Sequence, residues 1–353
     1  MAVELNIPAY ADGYTASNTN CVDIPIAGAC GHYDPENYYS YSFLYGAQLN
    51  WGEPRGWLTT RNRILDHLGL ALRPQPIRDD SELVPRVRRS LDAGSPIVLL
   101  VKYGALFYCE YYAWGDFDHA ILVGDYDVER GIVGIRDREV VREHIRSGLF
   151  RGDILQRLQI TDDMLRDIWI RSDRMFEVEN SIHRGHFYSI DRTRATRATS
   201  RTHLLGAWLE SEPTRASAFA GFVRHFDEWC ESQRWEDRGF EAVRRLYHRS
   251  LIAFFDGLLH ESQSGAAGAG EIGLSEVREA FLAHRSDLLS KLHLHLVKKR
   301  GLGPERSEDW ASEIDLRDAE LLRQVAALPG NGTKTEAWPE AADALPRGAS
   351  RGR

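Results

Sequence analysis

The stretch FDHAILVGDYDVERGIVGIRDRE, residues Phe117 to Glu139, reads as a β-hairpin with a histidine near its start and carboxylates at its end. Ala120 to Val123 is apolar and of strand length. Asp125 to Gly131 holds the turn residues, and Gly131 to Ile135 returns as a second strand. Antiparallel pairing brings His119 toward Asp137 and Glu139. Side chains alternate faces along a strand, so Val133, Ile135, Asp137 and Glu139 share one side. A histidine and an acid on adjacent strands are the base and orienting members of a Cys-His-acid site. They direct the search upstream for a nucleophile.

Cys21 is that candidate, in SNTNCVDIPIAGACG (Ser17 to Gly31). Asn18, Thr19 and Asn20 offer N-cap chemistry ahead of the apolar run Val22 to Ala29. Pro25 implies that any helix here starts late or bends. A cysteine at a helix N-terminus faces unpaired N–H groups and the positive end of the dipole, which favour a thiolate. The same N–H groups, with Asn18 or Asn20, are candidates for an oxyanion hole. Taken singly, Cys21 reads as a small buried hydrophobe, His119 as a packed histidine and Asp137 as a turn or salt-bridge residue. Their order along the chain is what joins them.

Around this pair the first half mixes strands and helices. Asp34-Pro35-Glu36 starts a helix carrying Tyr38, Tyr41, Leu44, Tyr45 and Leu49 at helical spacing. Further helices are expected near Thr59 to Leu70 and Ser81 to Ala93, the latter ended by Gly94. Pro96 to Val101 reads as a buried strand, Glu143 to Arg171 as helix, and Gly185 to Ile190 as a last strand. From residue 193 to 329 long amphipathic segments dominate: His203 to Glu210, Ala216 to Gln233, Phe240 to His260, Ser275 to Lys299 and Glu313 to Leu328. Gly265 to Gly270 is a loop between two of them, and the tail 330–353 has a disordered composition. The expected fold class is therefore α+β, a catalytic half over 1–192 followed by a helical domain.

The chain has 353 residues, and a formal charge of −8 with no basic stripe disfavours a nucleic-acid partner. The N-terminus lacks a basic region and an apolar core, so no secretion signal is expected, and no apolar run approaches about 18 residues. A cytoplasmic protein without a membrane span is the expectation. Its four cysteines show no paired metal spacing, so no metal is expected and free thiols are preferred to disulfides.

The order of cysteine on a helix, buried strand, histidine strand and acid strand resembles that of papain-like thiol enzymes. The segment from Leu91 to Glu139 looks more specifically like the N-terminal domain of the butirosin biosynthesis protein H family. That family's Gly-x-Pro strand, aromatic stretch, histidine, Gly-x-Asp turn and final aspartate are matched by Gly94-Ser95-Pro96, Phe107 to Trp114, His119, Gly124-Asp125 and Asp137. Upstream, Cys21 and Tyr38 to Gly52 resemble the family's nucleophile and its Phe-Gly-Leu segment. The same His-to-Asp layout recurs in the peptidase domains of bacteriocin-exporting transporters. The likeness covers about the first 190 residues. Thr15 stands where a papain-type oxyanion glutamine is expected, which leaves Asn18 or Asn20 as substitutes.

What the resemblance implies is an acyltransferase of antibiotic biosynthesis, with the lincosamide amide synthetases as further relatives. Such an enzyme moves an acyl or aminoacyl group from the phosphopantetheine arm of an acyl or peptidyl carrier protein onto the amine of an amino sugar. It needs no cofactor in the chain itself. Cys21 would act as nucleophile and His119 as base, with Asp137 or Glu139 orienting the imidazole. Water must be excluded, and the aromatic runs offer a lid and sugar-stacking surfaces, with Tyr39, Trp51, Phe107, Tyr108 and Trp114 as candidates. Asp116, Asp118 and Glu110 are candidates for a cationic amine. The runs Arg192 to Arg201 and Lys298 to Arg306 are candidates for docking an acidic carrier. The alternative is a leader-peptide cysteine peptidase or a thioester hydrolase with the same triad.

Overall fold

The hairpin lies at the centre of an antiparallel sheet. The computed structural model describes residues 2–8, 20–53, 55–138, 155–194, 200–211, 217–237, 239–264 and 270–326. Its strands are β1 (Ala2–Glu4), β2 (Leu70–Pro76), β3 (Ile97–Lys102), β4 (Asp118–Asp127), β5 (Ile132–Asp137), β6 (Gln156–Thr161) and β7 (His186–Arg192). They pair in the order β2-β7-β3-β4-β5-β6, with β1 added to β4 beyond the end of β3. In the register Val101 faces His119 and Leu122 faces Arg136, so Asp137 lies one residue past the last β4–β5 pair.

The hairpin turn falls later than the sequence suggests. β4 runs on through Gly124-Asp125, where the register shifts between Val123 and Asp125. The Gly-Asp pair therefore serves a bulge, which uses the same permissive residues as a turn. The turn itself is Val128 to Gly131, with the Asp127 carboxylate accepting from the N–H groups of Glu129 and Arg130. Glu143 to Arg171 is not helix throughout. Residues 143–154 lie outside the described residues, but Gln156–Thr161 is a strand rather than helix. It sits at the sheet edge beside β5, where one buried side does not demand an apolar run.

The helices of the first half are α1 (Asp23–Tyr33), α2 (Pro35–Trp51), α3 (Trp57–His67), α4 (Leu83–Asp92) and α5 (Asp162–Val178). Pro25 does not delay α1. It occupies the first turn, where its missing N–H has no intrahelical partner anyway. Every residue from Asp23 to Gly31 is buried, because α1 lies against β3, β4 and β7 on one side and α2 on the other. A helix buried all round carries no amphipathic signature. The Asp34 carboxylate caps α2 by accepting from Glu36 N at 3.0 Å. α4 and α5 also pack on the sheet.

The second half consists of α6 (Arg201–Ser211), α7 (Ala218–Arg224), α8 (Phe226–Ser232), α9 (Phe240–Arg244), a π-turn at Arg245–Arg249, α10 (Ser250–Ser264), α11 (Gly270–Val297) and α12 (Pro304–Ala326). The cores are not divided at residue 192. Leu205, Trp208, Phe254, Phe255 and Leu322 join the hydrophobic core of the first half. A separate cluster gathers Phe219, Phe226, Cys230, Leu292 and Ile314. α2 is the joint: Asn50 donates to Ser250 Oγ at 2.8 Å, and the buried Trp51 indole donates to Asp318 at 3.1 Å.

At that joint a Cβ on Gly46 would lie 2.6 Å from the Ser250 carbonyl oxygen. Helix propensity alone would make Gly46→Ala stabilising by up to about 1 kcal/mol. Overpacking should reverse the sign, to a loss of about 1–3 kcal/mol. A lower denaturant midpoint is expected. A midpoint at or above that of the wild type would show that α2 and α10 separate at no cost.

Candidate active site

Cys21 stands on the turn that opens α1. Asn20 builds this turn. Its Oδ1 accepts from Val22 N at 2.9 Å and Asp23 N at 2.8 Å, and its amide nitrogen donates to the Tyr45 hydroxyl. Asn20 is thus engaged as the helix cap. Among the described residues no acceptor takes the Cys21 N–H, which leaves that group as the candidate oxyanion donor. Asn18 lies outside the described residues. Of the four cysteines, Cys21 alone is not buried. Desolvation pushes the Cys30 thiol well up and the Cys230 thiol up to about 12, so both favour the inert protonated form.

Beneath the turn lies a buried ion pair. Asp23, fully buried, accepts from Arg61 at 2.7 Å and from the Tyr41 hydroxyl at 2.5 Å. Arg61 also donates to the Trp57 carbonyl at 3.1 Å and lies over the Trp57 ring. Asp23 and Arg61 are residues of this turn that sequence reasoning missed, and Tyr41 and Tyr45, from an aromatic run read as a lid, are bound to the turn instead. A single acid inside an otherwise apolar run was the available signal, because a buried carboxylate requires a partner.

His119 faces the turn from β4. It is fully buried, and its Nε2 lies 2.9 Å from Asp137 Oδ1. That bond leaves Nδ1, which is buried and has no hydrogen-bond partner among the described residues. The Cys21 Sγ lies 3.5 Å from the carbonyl oxygen of Asp118, next to His119 in the chain. Burial alone would push the imidazole pKa down. The Asp137 charge and hydrogen bond outweigh it, with help from Cys21, and the result is pushed up to about 10. The Tyr103 ring, another residue missed from sequence, packs on the imidazole at 4.4 Å between centroids.

Asp137 is fully buried and is held from both sides. Its Oδ2 accepts from the Tyr108 hydroxyl at 2.7 Å. Tyr108, a stacking candidate from sequence, hydrogen-bonds the carboxylate that holds His119. Tyr108→Phe keeps the ring and removes the hydrogen bond. A bond to a charged group contributes about 1.5–3 kcal/mol, so kcat is expected to fall at least about tenfold with KM little changed. A stacking role predicts no change in either constant. Glu139 lies outside the described residues.

The other candidates separate into two groups. The loop from Tyr103 to Phe117 folds back on itself, with Gly104 N donating to Gly115 O at 2.8 Å. A Cβ on Gly104 would lie 2.9 Å from that oxygen, so glycine is required for the approach. The loop presents Phe107, Tyr112, Trp114 and Phe117 to solvent, with Trp114 66% exposed and Phe117 61%. This aromatic apron borders the His119 strand. Tyr39 and Trp51 are not part of it. Tyr39 stacks on His260 at 3.9 Å beneath Arg201, and Trp51 is fully buried against Phe254. Both join the two halves.

Asp116 and Asp118 face Lys102 Nζ at 3.6 and 2.9 Å, together with Glu179 at 2.6 Å. These contacts secure the foot of the apron to the end of α5. Arg192 donates to the Tyr33 carbonyl, Arg194 to that of Asp66, and Arg201 to Glu36. Residues 195–199 lie outside the described residues. Lys298, Lys299, Arg300 and Arg306 are exposed.

No family model matches this sequence, and no curated protein matches it. Among the described residues, no group of His, Cys, Asp and Glu is arranged to hold a metal ion, and no helix is long and apolar enough to cross a membrane.

Proposed function

We propose that this protein is a papain-like thiol acyltransferase that makes amides from carrier-bound thioesters. The observation that carries the reading is the convergence of Cys21, His119 and Asp137. A non-buried thiol opens a helix, beside an imidazole whose far nitrogen is fixed by a buried carboxylate. This is the arrangement in which a thiolate–imidazolium pair acts as nucleophile and proton carrier.

The Cys21 sulfur attacks the thioester carbonyl, and the oxyanion is met by the Cys21 N–H. The carbon–sulfur bond to the phosphopantetheine arm breaks, and the arm leaves as a thiol with the proton from His119. An amine then attacks the Cys21 thioester. His119 takes a proton from that amine and returns it to the departing Cys21 sulfur as the amide forms. No phosphate-bond energy is required, because a thioester replaces a thioester and is then consumed by aminolysis. Tyr108 and Asp137 hold the imidazole throughout.

Support for synthesis over hydrolysis comes from the exposed apron of Phe107, Trp114 and Phe117 at the site's edge. Such rings stack on sugar faces and displace water, and an amino sugar is the acceptor class proposed. The exposed cluster Lys298, Lys299, Arg300 and Arg306 is the proposed contact for an acidic carrier protein. The test is competition between nucleophiles. With an acyl-pantetheine thioester, an added amino sugar should divert product from free acid to amide in proportion to its concentration. Free acid alone at every amine concentration would mark a hydrolase. Cleavage of peptides but not thioesters would mark a peptidase.

A further inference from the structure

The ladder between β3 and β4 runs on for one bond past the end of β3. Val101 lies opposite His119 and Lys102 opposite Asp118. Tyr103 N then donates to the Phe117 carbonyl at 3.0 Å. Side chains alternate along a strand, so Tyr103 falls on the face of His119, as its diagonal neighbour. The two rings meet with centroids 4.4 Å apart and 37° between their planes, nearer to a stacked contact than to an edge-on one.

Tyr103 is itself held from behind. Tyr111 meets its ring edge-on, with centroids 5.5 Å apart and 71° between the planes. A Cβ on Gly115 would lie 2.6 Å from Tyr111 Cβ and 2.9 Å from Tyr103 Cβ. The loop closes over both side chains because that residue is glycine.

The imidazole is fully buried, and burial disfavours its charged form. It is faced by Asp137 from β5, Cys21 from the α1 turn and Tyr103 from the end of β3. Tyr108 binds the far oxygen of Asp137, and Lys102 with Asp116, Asp118 and Glu179 forms a separate ion cluster beside them. Asp137 compensates the charge at Nε2, in the plane of the ring. Hydrogen bonds do not reach the face of an imidazole. There the negative face of an aromatic ring supplies the attraction, and it strengthens when both partners are desolvated.

We propose that Tyr103 is a further positioning residue of the site, whose ring face seats the His119 imidazole against Asp137 and favours its charged form. The inference rests on the catalytic use of His119 proposed above, and it holds for any acyl group and any amine. A side chain that only filled space at this position could be any apolar residue of similar size.

The test follows the His119 signal of the full chain by NMR after ¹³C labelling of histidine, the signal being assigned by its loss in His119→Gln. The wild-type midpoint is expected near the value of about 10 that Asp137 sustains. Tyr103→Phe keeps the ring and should leave the midpoint in place. Tyr103→Leu keeps the burial and removes the ring face, and should lower the midpoint by about one pH unit. The alkaline limb of kcat/KM for acyl transfer from an acyl-pantetheine should move down with it. Pentafluorophenylalanine at position 103 keeps the shape and inverts the charge of the ring face, so it should lower the midpoint at least as far, and it decides the matter if Tyr103→Leu does not fold. An unmoved midpoint in these folded variants, with the rate reduced equally at every pH, is the mark of a merely structural ring and overturns the proposal. A drop in Tyr103→Phe equal to that in Tyr103→Leu assigns the effect to the hydroxyl and overturns it as well. Failure of the thioester reading shows separately, as a wild type that takes no acyl group from the acyl-pantetheine, while the NMR midpoints still decide the role of Tyr103.

Discussion

Cys21→Ala is expected to lower amide formation by about 10⁴-fold or more while leaving the fold intact. The size follows from the absence of a substitute. Cys30, Cys109 and Cys230 are buried, and burial holds the Cys30 and Cys230 thiols in the protonated form. The mild structural effect follows from the site. The Cys21 side chain is not buried, and its contact with the Asp118 carbonyl is long at 3.5 Å. The turn is built by Asn20, Tyr45, Asp23 and Arg61, none of which changes. Thermal unfolding should therefore stay within about 0.5 kcal/mol of wild type, the range of substitutions that touch little. A binding module of the same fold predicts the opposite outcome, with function retained in the variant.

Asp137→Asn should cost about 10³–10⁴-fold in kcat/KM and should also move the pH profile. Without the carboxylate, burial is left to act on His119, and its pKa falls from about 10. The alkaline limb of the rate profile therefore shifts to lower pH. The sign for stability is equally definite. The folded-state value lies above the value of about 6.5 for an unperturbed histidine. The pair's contribution to stability is therefore fully present below about pH 6.5 and is lost as pH rises through about 10. The variant should lack that pH-dependent loss. Glu139→Gln provides the comparison. With Asp137 bound to His119 and Tyr108 at once, it should leave the rate nearly unchanged. A large loss in Glu139→Gln and a small one in Asp137→Asn would reassign the orienting acid.

The parts of this arrangement that were legible in sequence are those set by local chemistry. His119 and Asp137 could be put on one face of a hairpin because strand alternation is strict. Asp34-Pro35-Glu36 marked the start of α2 because a cap, a proline and an acid have one common use. The α+β class followed from the change of periodicity near residue 193. What was not legible depends on partners far along the chain. β6 exists because β5 offers an edge, and QRLQIT carries no strong strand pattern of its own. Trp51 looked like a stacking surface, yet its indole is matched to Asp318, 267 residues away. Asp116 and Asp118 read as candidates for an amine, and the cation they face, Lys102, comes from the end of the opposite strand. Tyr108 lies in the aromatic run, and nothing local distinguishes it from Phe107, which turns outward. The sharing of one core across residue 192 has a related cause: α2 buries aromatic side chains against α10.

In the proposed function Cys21 carries an acyl group between a thioester and an amine. Intact mass spectrometry of the protein after brief exposure to an acyl-pantetheine thioester tests it most directly. A mass increase of one acyl group is expected, mapped to Cys21 by peptide digestion and absent in Cys21→Ala. On addition of an amino sugar the label should leave as the amide. Amide formation at the wild-type rate in Cys21→Ala, or an acyl group carried on any other residue, would contradict it.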